Sequence, residues 1–296
     1  MSNHSAPVSR RRRAKAWLRA ARPHAQANIA LPIALGVAAA VGTGAALEGW
    51  MLAACAAFSV LDQLFIVFAN DYADRHTDSA ARTWVSGGSG VLVDGSLSPA
   101  HVRRAALAHL VGLLVLALVL VTRRPWMIAA SLSAIVLMQL YSYAPVRLSH
   151  RGGGEWLQGA GIGLVLPWVG FYLVTGDPRA PLAILLPMVL FGVAGNISTA
   201  VPDLAADRAV GKRTLPVVVG DTRARIAGVF FLLCAMVLAA WLARGELSPM
   251  AQGLMASAAL PWLLHLGLRA PLAYALIQGV SMTLWLLAFA WGLVGG

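Results

Sequence analysis

Charge is scarce in this chain: of 296 residues only 12% are Asp, Glu, Lys or Arg, against 59% hydrophobic. That leaves too little polar surface to coat a water-soluble globule of this length, which excludes an ordinary soluble domain and places the chain in a membrane. Cysteine is scarcer still. Cys55 and Cys234 both lie inside apolar segments; no metal-type spacing or secreted disulfide framework surrounds them, so they read as packing residues. Alternating segments of about ten residues are missing too, which excludes an outer-membrane barrel. The apolar residues instead fall in windows of about 20, the length that crosses a hydrocarbon core as helix. The N-terminal SRRRRAKAWLRAARP has the basic character of a signal peptide, but further spans follow down the whole chain, so it reads as an uncleaved start. The lipid bilayer is an expected partner, and nucleic acid is not.

Hydropathy, punctuated by Gly, Pro and charge, gives nine spans, at about 27–46, 50–69, 100–122, 126–145, 155–175, 180–201, 222–243, 249–267 and 270–294. The expected fold is all-α, a polytopic membrane protein built as a nine-helix bundle. Residues 1–22 form a basic leader and residues 23–296 a single transmembrane domain. Nine spans put alternate connections on opposite faces. All of the 23 Lys and Arg residues except Arg123, Arg124, Arg179 and Arg244 then fall on the N-terminal face. The positive-inside rule makes that face cytoplasmic, with a bacterial plasma membrane as the expected location.

The two longest internal connections, roughly 70–99 and 202–221, emerge on that same face and gather acids. They hold Asp71, Asp74, Asp78, Asp94, Asp203, Asp207 and Asp221, seven of the twelve acidic residues in the chain. Positive-inside explains arginines there but gives no reason for aspartates. In NDYADRHTD, residues 70–78, helical continuation puts Asn70, Asp74 and Asp78 on one face. Asp203 and Asp207 repeat the i, i+4 pair. Such carboxylates suit Mg²⁺, which takes one or two protein carboxylates plus substrate phosphate oxygens. Basic residues are interleaved: Arg75 and Arg82 with the first cluster, Arg208, Lys212 and Arg213 with the second. Carboxylates, metal and guanidinium groups together match a pyrophosphate leaving group, whose developing charge needs stabilising where water is scarce. The bland alternative for either cluster alone is a set of solvated loop acids.

These residues carry a family resemblance. NDYADRHTD resembles the NDxxDxxxD motif of the UbiA superfamily of intramembrane aromatic prenyltransferases, and DLAADRAVGKRTLPVVVG resembles its second motif, DxxxDxxxGxRTLPV. Between them, YSYAPVRLSHRGGGEW is similar to the superfamily's third conserved loop, and Ala21-Arg22-Pro23 to its lead into the first helix. The resemblance implies a nine-helix bundle with a central cavity that opens laterally to lipid and is capped by the two Asp-bearing cytoplasmic loops. It implies that Asn70, Asp74, Asp78, Asp203 and Asp207 hold Mg²⁺, or Mn²⁺, and through it the diphosphate of a polyprenyl donor. Arg82, Arg147, Arg151, Lys212 and Arg213 would contact diphosphate oxygens. Ionisation would then give an allylic cation for an aromatic acceptor to attack. Asp71, about 100° round the helix from Asn70, either lines the same site or caps it.

Lesser signals remain open between site and scaffold. Asp62 is expensive in lipid and faces the bundle interior, either at the acceptor or against a neighbouring helix. Asn196, seven residues before Asp203, is a cavity residue or a helix-to-helix hydrogen bond. Tyr141 ends the fourth span where interfacial belts place tyrosines. Glu155 starts the fifth span, where it either meets the acceptor or simply complements the helix dipole. SGGSGVLVDG, residues 86–95, reads as a flexible lid or a backbone phosphate cradle. Ser149 stands where the family's third loop often has lysine. The Arg-Pro element that follows the first motif in 4-hydroxybenzoate and haem O enzymes is missing. GKRTLPV is closer to the naphthoate prenyltransferases of menaquinone synthesis, although Thr199 and Ala200 replace the asparagine those often carry. The runner-up is a terpene cyclase of the same superfamily, which uses no aromatic acceptor. A CDP-alcohol phosphotransferase lacks its Asp-Gly motif here, and a transporter would carry more ionisable residues mid-span than Asp62 and His109.

Overall fold

The computed structural model describes residues 10–78, 83, 88–264, 267 and 270–295, and every regular element among them is helical. The chain runs α1 (Arg10–Ala21), a 3-10 turn at Pro23–Gln26, α2 (Ala27–Gly42), α3 (Gly49–Asp74), α4 (Pro99–Leu120) and α5 (Met127–Ser142). It continues through α6 (Leu148–Arg151), α7 (Gly154–Ala160), a π turn at Gly161–Val165, α8 (Leu166–Thr175) and α9 (Leu182–Ala200). After a 3-10 turn at Val201–Asp203 come α10 (Leu204–Ala209), α11 (Leu215–Val219), α12 (Asp221–Leu242), α13 (Pro249–Ser257), α14 (Leu260–Leu264) and α15 (Pro271–Gly295). Local sequence sets several boundaries. Ser98 and Ser248 cap α4 and α13 by accepting the N–H groups of His101 and Ala251, each followed by a proline whose missing N–H costs nothing in the first turn. Gly176, at φ 73°, ends α8 in the left-handed region.

Among the described residues, seven helical stretches are long and apolar enough to cross a membrane: Arg10–Gly42, Gly49–Asp74, Pro99–Leu120, Gly154–Thr175, Leu182–Ala209, Asp221–Leu242 and Pro271–Gly295. These coincide with seven of the nine expected spans. The other two are helical but shorter. At 16 residues, α5 is about 24 Å long against a hydrocarbon core of about 30 Å. The span expected near 249–267 is divided at Ala258 and Ala259 into α13 and α14, because Pro261 lacks the N–H that would carry the first helix onward. Within the basic leader, α1 packs against α3: Ala16 and Ala20 are buried, and Trp17 meets Phe68 edge-on at 5.7 Å.

The bundle is turned outward with respect to polarity. Large apolar side chains on α4 (Val111, Val115, Leu118) and α12 (Phe230, Val237, Trp241) are exposed, as a lipid-facing surface requires. Inside, the close pairs are α2 with α8, α3 with α4, and α9 with α12. The α2–α8 contact is backbone to backbone. A Cβ on Gly36 would lie 1.9 Å from the Pro167 carbonyl oxygen, and one on Gly170 would lie 2.0 Å from that of Ile33. Small residues at both positions are therefore what brings α2 and α8 together, in the manner of membrane helix pairs.

Candidate active site

Asn70, Asp71 and Asp74 form the last turn of α3, which ends at Asp74, so Asp78, expected on the same helical face, lies beyond the helix, and the acids divide between two environments. Asn70 borders the central cavity and accepts a hydrogen bond from the Ser142 hydroxyl at 3.2 Å. Asp71, one position on, turns away from that cavity: it is ion-paired with Arg22 and hydrogen-bonded by the backbone N–H and hydroxyl of Ser89. Asp78 lies against Gly88, where a Cβ would fall 1.9 Å from Asp78 Oδ2 and 3.6 Å from Asp71 Oδ1. Two carboxylates thus approach one glycine that has no room for a side chain. Arg22 holds its position from a left-handed backbone, φ 46°, at the break between α1 and the Pro23 turn. Arg19 reaches Asp94 farther along the same connection. Burial alone would raise the Asp94 carboxyl, but hydrogen bonds from Ser96 and the Arg19 guanidinium hold it below the usual carboxylate range.

Asp74 is where the three cap segments meet. Arg147 Nη2 donates to its Oδ1 at 2.9 Å, His150 Nε2 lies 3.0 Å from the same oxygen, and Lys212 Nζ lies 3.1 Å from Oδ2. Lys212 is also 4.0 Å from Asp207 Oδ1, so a single ammonium spans the two acidic clusters. Asp74, Asp207 and Lys212 are all nearly inaccessible to water. Backbone bonds fasten the segments further. Arg213 N–H donates to the His150 carbonyl at 2.8 Å, Leu215 N–H to Glu155 Oε1 at 2.7 Å, and Thr83 N–H to Asp203 Oδ1 at 2.6 Å.

Beneath this cap lies a cavity of ≈ 330 Å³ between α2, α3, α5, α9 and α15. Its walls are mainly apolar, with Phe58, Ile66, Met138, Phe191 and Leu286 among them. A polar group on one wall joins Asn196, whose amide donates to Gln158 and lies 3.5 Å from the Tyr141 hydroxyl.

The model of the UbiA prenyltransferase family matches residues 29–271 of the chain. The chain belongs to the UbiA prenyltransferase family. It is 31% identical over 174 residues to digeranylgeranylglyceryl phosphate synthase of Natronomonas pharaonis, a match over 57% of this chain and 57% of that protein. The chain thus spans little more than half the length of that relative. With 1,4-dihydroxy-2-naphthoate octaprenyltransferase of Bacillus subtilis it shares 25% identity over 265 residues, 87% of this chain and 79% of that protein. A solved structure of a UbiA homolog from Archaeoglobus fulgidus bound to GPP and Mg2+ superimposes with TM-score 0.70 over 95% of this chain and 100% of that one, at 18% identity. At that identity the likeness is one of fold.

This UbiA family member brings the motif residues together unevenly. Asp74, Arg147, Asp207 and Lys212 form one connected group, and Asn70, Asp62, Tyr141 and Asn196 line the cavity. Asp71 belongs to the cap and does not line the cavity. Glu155, weighed as an acceptor contact, is likewise absent from the cavity wall and instead fixes the backbone of the second connection at Leu215. Arg151 and Arg213 stand exposed at the rim. Arg82 lies outside the described residues, as does part of the lid segment 86–95. Two residues of the family-like stretches, Arg22 and His150, prove to pair with the aspartates although neither was expected to. Both are separated from their aspartates by dozens of residues, and only the break at Pro23 and the fold of the third loop deliver them.

The donor chemistry fits a hard divalent cation. Every acid at the cap is a carboxylate oxygen donor of the kind Mg²⁺ takes, and Gly88 leaves the space in which Asp71 and Asp78 approach one another. Among the described residues no three acidic, imidazole or thiol groups converge on one point; here the carboxylates are neutralised by Lys212, Arg147 and Arg22. Gly88→Ala is expected to push the Asp78 carboxylate aside and weaken metal binding about tenfold, the scale of an outer-shell change. Calorimetric titration of Mn²⁺ into the purified variant measures it, and unchanged affinity would take Asp78 out of the metal set.

Proposed function

We propose that this protein transfers an isoprenyl group from a polyprenyl diphosphate to an aromatic acceptor of the quinone-precursor type, within the membrane and with Mg²⁺ or Mn²⁺. The observation that carries the reading is Lys212 lying between Asp74 and Asp207: acids from two distant connections share one buried cation directly above one apolar cavity. Solvated loop acids have no reason to meet in this way. Asn70, Asp74, Asp78, Asp203 and Asp207 are the residues to hold the metal. When bound, it supplies positive charge against the diphosphate as the carbon–oxygen bond breaks. Lys212 and Arg147 orient the diphosphate and take up its developing charge, with Arg151 and Arg213 drawing it in from the rim. The cavity keeps water away from the allylic cation, and the prenyl tail gains about 0.8 kcal/mol per buried CH₂. Names of relatives support both sides of the acceptor question, since one is a glyceryl phosphate synthase and one a naphthoate prenyltransferase. The longer match, and the polar wall at Asn196, Gln158 and Tyr141, favour the aromatic class.

The test is product analysis on purified protein in lipid nanodiscs given labelled geranylgeranyl diphosphate and Mg²⁺. Prenylated ring product should form only when dihydroxynaphthoate is added. Cyclised hydrocarbon without acceptor would decide for a terpene cyclase.

The same reading includes nine crossings, with α5 and the α13–α14 pair among them, and a cytoplasmic cap. Cysteines placed at Thr77 and Thr214 in a Cys-less background are expected to react with impermeant maleimide from the cytoplasmic side alone. Labelling of either from outside would break the scheme.

A further inference from the structure

Asp71, Asp74 and Asp203 of the cap meet cations or N–H groups, whereas among the described residues Asp62 has no such partner. It lies eight residues before Asn70 on α3, about 12 Å deeper along the helix at 1.5 Å per residue. Its side chain is 3% exposed and borders the cavity, and no donor among the described residues reaches its Oδ1. Two amides on the same cavity share this state. Gln63 Nε2 and Gln278 Nε2 are buried without an acceptor among the described residues, Gln278 having its Oε1 engaged by the Ser198 hydroxyl. A buried polar atom without a partner is destabilising, and most destabilising within a membrane. With Arg22 Nε a fourth such atom on the lining, the three supplied by Asp62, Gln63 and Gln278 describe the complement of a missing molecule: it donates one hydrogen bond and accepts others.

The charge pattern narrows its chemistry. Among the described residues that line the cavity, Arg22 is the only one bearing a cationic side chain, and it sits at the mouth beside Asp71. The deep wall therefore offers a carboxyl and two amide N–H groups but no counter-ion for an anion.

We propose that Asp62, Gln63 and Gln278 form the seat for the hydroxyl-bearing edge of the aromatic acceptor. A ring O–H donates to Asp62, the two amides donate to ring oxygens, and any anionic substituent stays outward beside Arg22. The acceptor enters hydroxyl first, lying along α3 with its reacting carbon toward the cap. This inference rests on the transfer reading above and adds the orientation and the residues that select the acceptor.

The experiment uses the full chain in nanodiscs with Mg²⁺ and geranylgeranyl diphosphate. The acceptors are 1,4-dihydroxy-2-naphthoate and its two mono-methyl ethers. Asp62→Leu removes the acceptor atom at little cost to the fold, because it replaces an unpaired carboxyl by an apolar side chain of similar size. It is expected to raise the KM for the dihydroxy compound at least tenfold. Asp62→Asn, which keeps an accepting oxygen, should recover much of that loss. Donor affinity, read by calorimetry with the non-hydrolysable thiolodiphosphate, should stay within twofold. One of the ethers should already bind wild type poorly and show no further loss in Asp62→Leu. An unchanged KM in Asp62→Leu, or equal losses for the dihydroxy compound and both ethers, overturns the seat while leaving transfer intact. Donor binding with no transfer to any of the three acceptors overturns the transfer reading and the seat with it. If Asp62→Leu does not fold, the ethers on wild type carry the test, and KM values equal to that of the dihydroxy compound overturn the proposal.

Discussion

Asp74→Ala is expected to lower turnover about a thousandfold. The variant removes the one carboxylate that Arg147, His150 and Lys212 share, and leaves Lys212 buried at 6% exposure with Asp207 as its remaining partner. Breaking a buried charge pair from one side costs about 3–5 kcal/mol. At about 1.4 kcal/mol per decade, that amounts to two to four decades if the cap must be intact for the diphosphate to bind and ionise. Steady-state turnover on the monodisperse fraction from gel filtration is the measurement, with Asp74→Asn as the isosteric control. Retention of more than a tenth of wild-type turnover by the alanine variant would remove Asp74 from the centre of the site.

The second large effect concerns assembly rather than chemistry. Gly170→Val places its Cβ inside the Ile33 carbonyl oxygen, and backbone cannot move aside as a side chain can. Separating α2 from α8 would open the wall that Ile29 and Pro32 give the cavity on one side and Val165 and Leu166 on the other. A loss of at least about 4 kcal/mol is expected, in the range reserved for core disruption. It should appear as aggregation in detergent or as a collapsed thermal transition. Gly253→Val, at a helical glycine with open space around it and away from the cavity, is the matched control and should behave as wild type.

The acidic motifs were legible in the sequence because helix periodicity needs only local spacing: Asn70 and Asp74 are four apart, as are Asp203 and Asp207. Span positions were legible for the same reason, hydropathy being a local sum. Most of the failures are of one kind. Glu155 reads as a helix N-terminal acid, and nothing near it in sequence tells that Leu215 supplies its donor sixty residues away. Arg22 reads as a positive-inside arginine in the family-like lead into the first helix, and only the turn at Pro23 aims it at Asp71. His150 sits in a loop whose family resemblance drew attention to Arg147 and Ser149 instead. The broken span near residue 258 follows from Pro261, a visible signal that the hydropathy of the whole window outweighed. Long-range partners are set by packing, and packing is written in pairs such as Gly36 with Gly170 that no periodicity links.

Lys212 has a consequence for how such a protein is made. Four aspartates of the cap, Asp71, Asp74, Asp203 and Asp207, are nearly inaccessible to water and would repel one another in a nascent bundle. With Lys212, Arg147 and Arg22 already in place as counter-charges, the chain brings its own neutralisation from the ribosome. Insertion and helix assembly are thereby uncoupled from the local supply of divalent ions. A divalent ion entering the cap meets carboxylates already paired with Lys212, Arg147 and Arg22, so loading becomes an exchange of one positive charge for another.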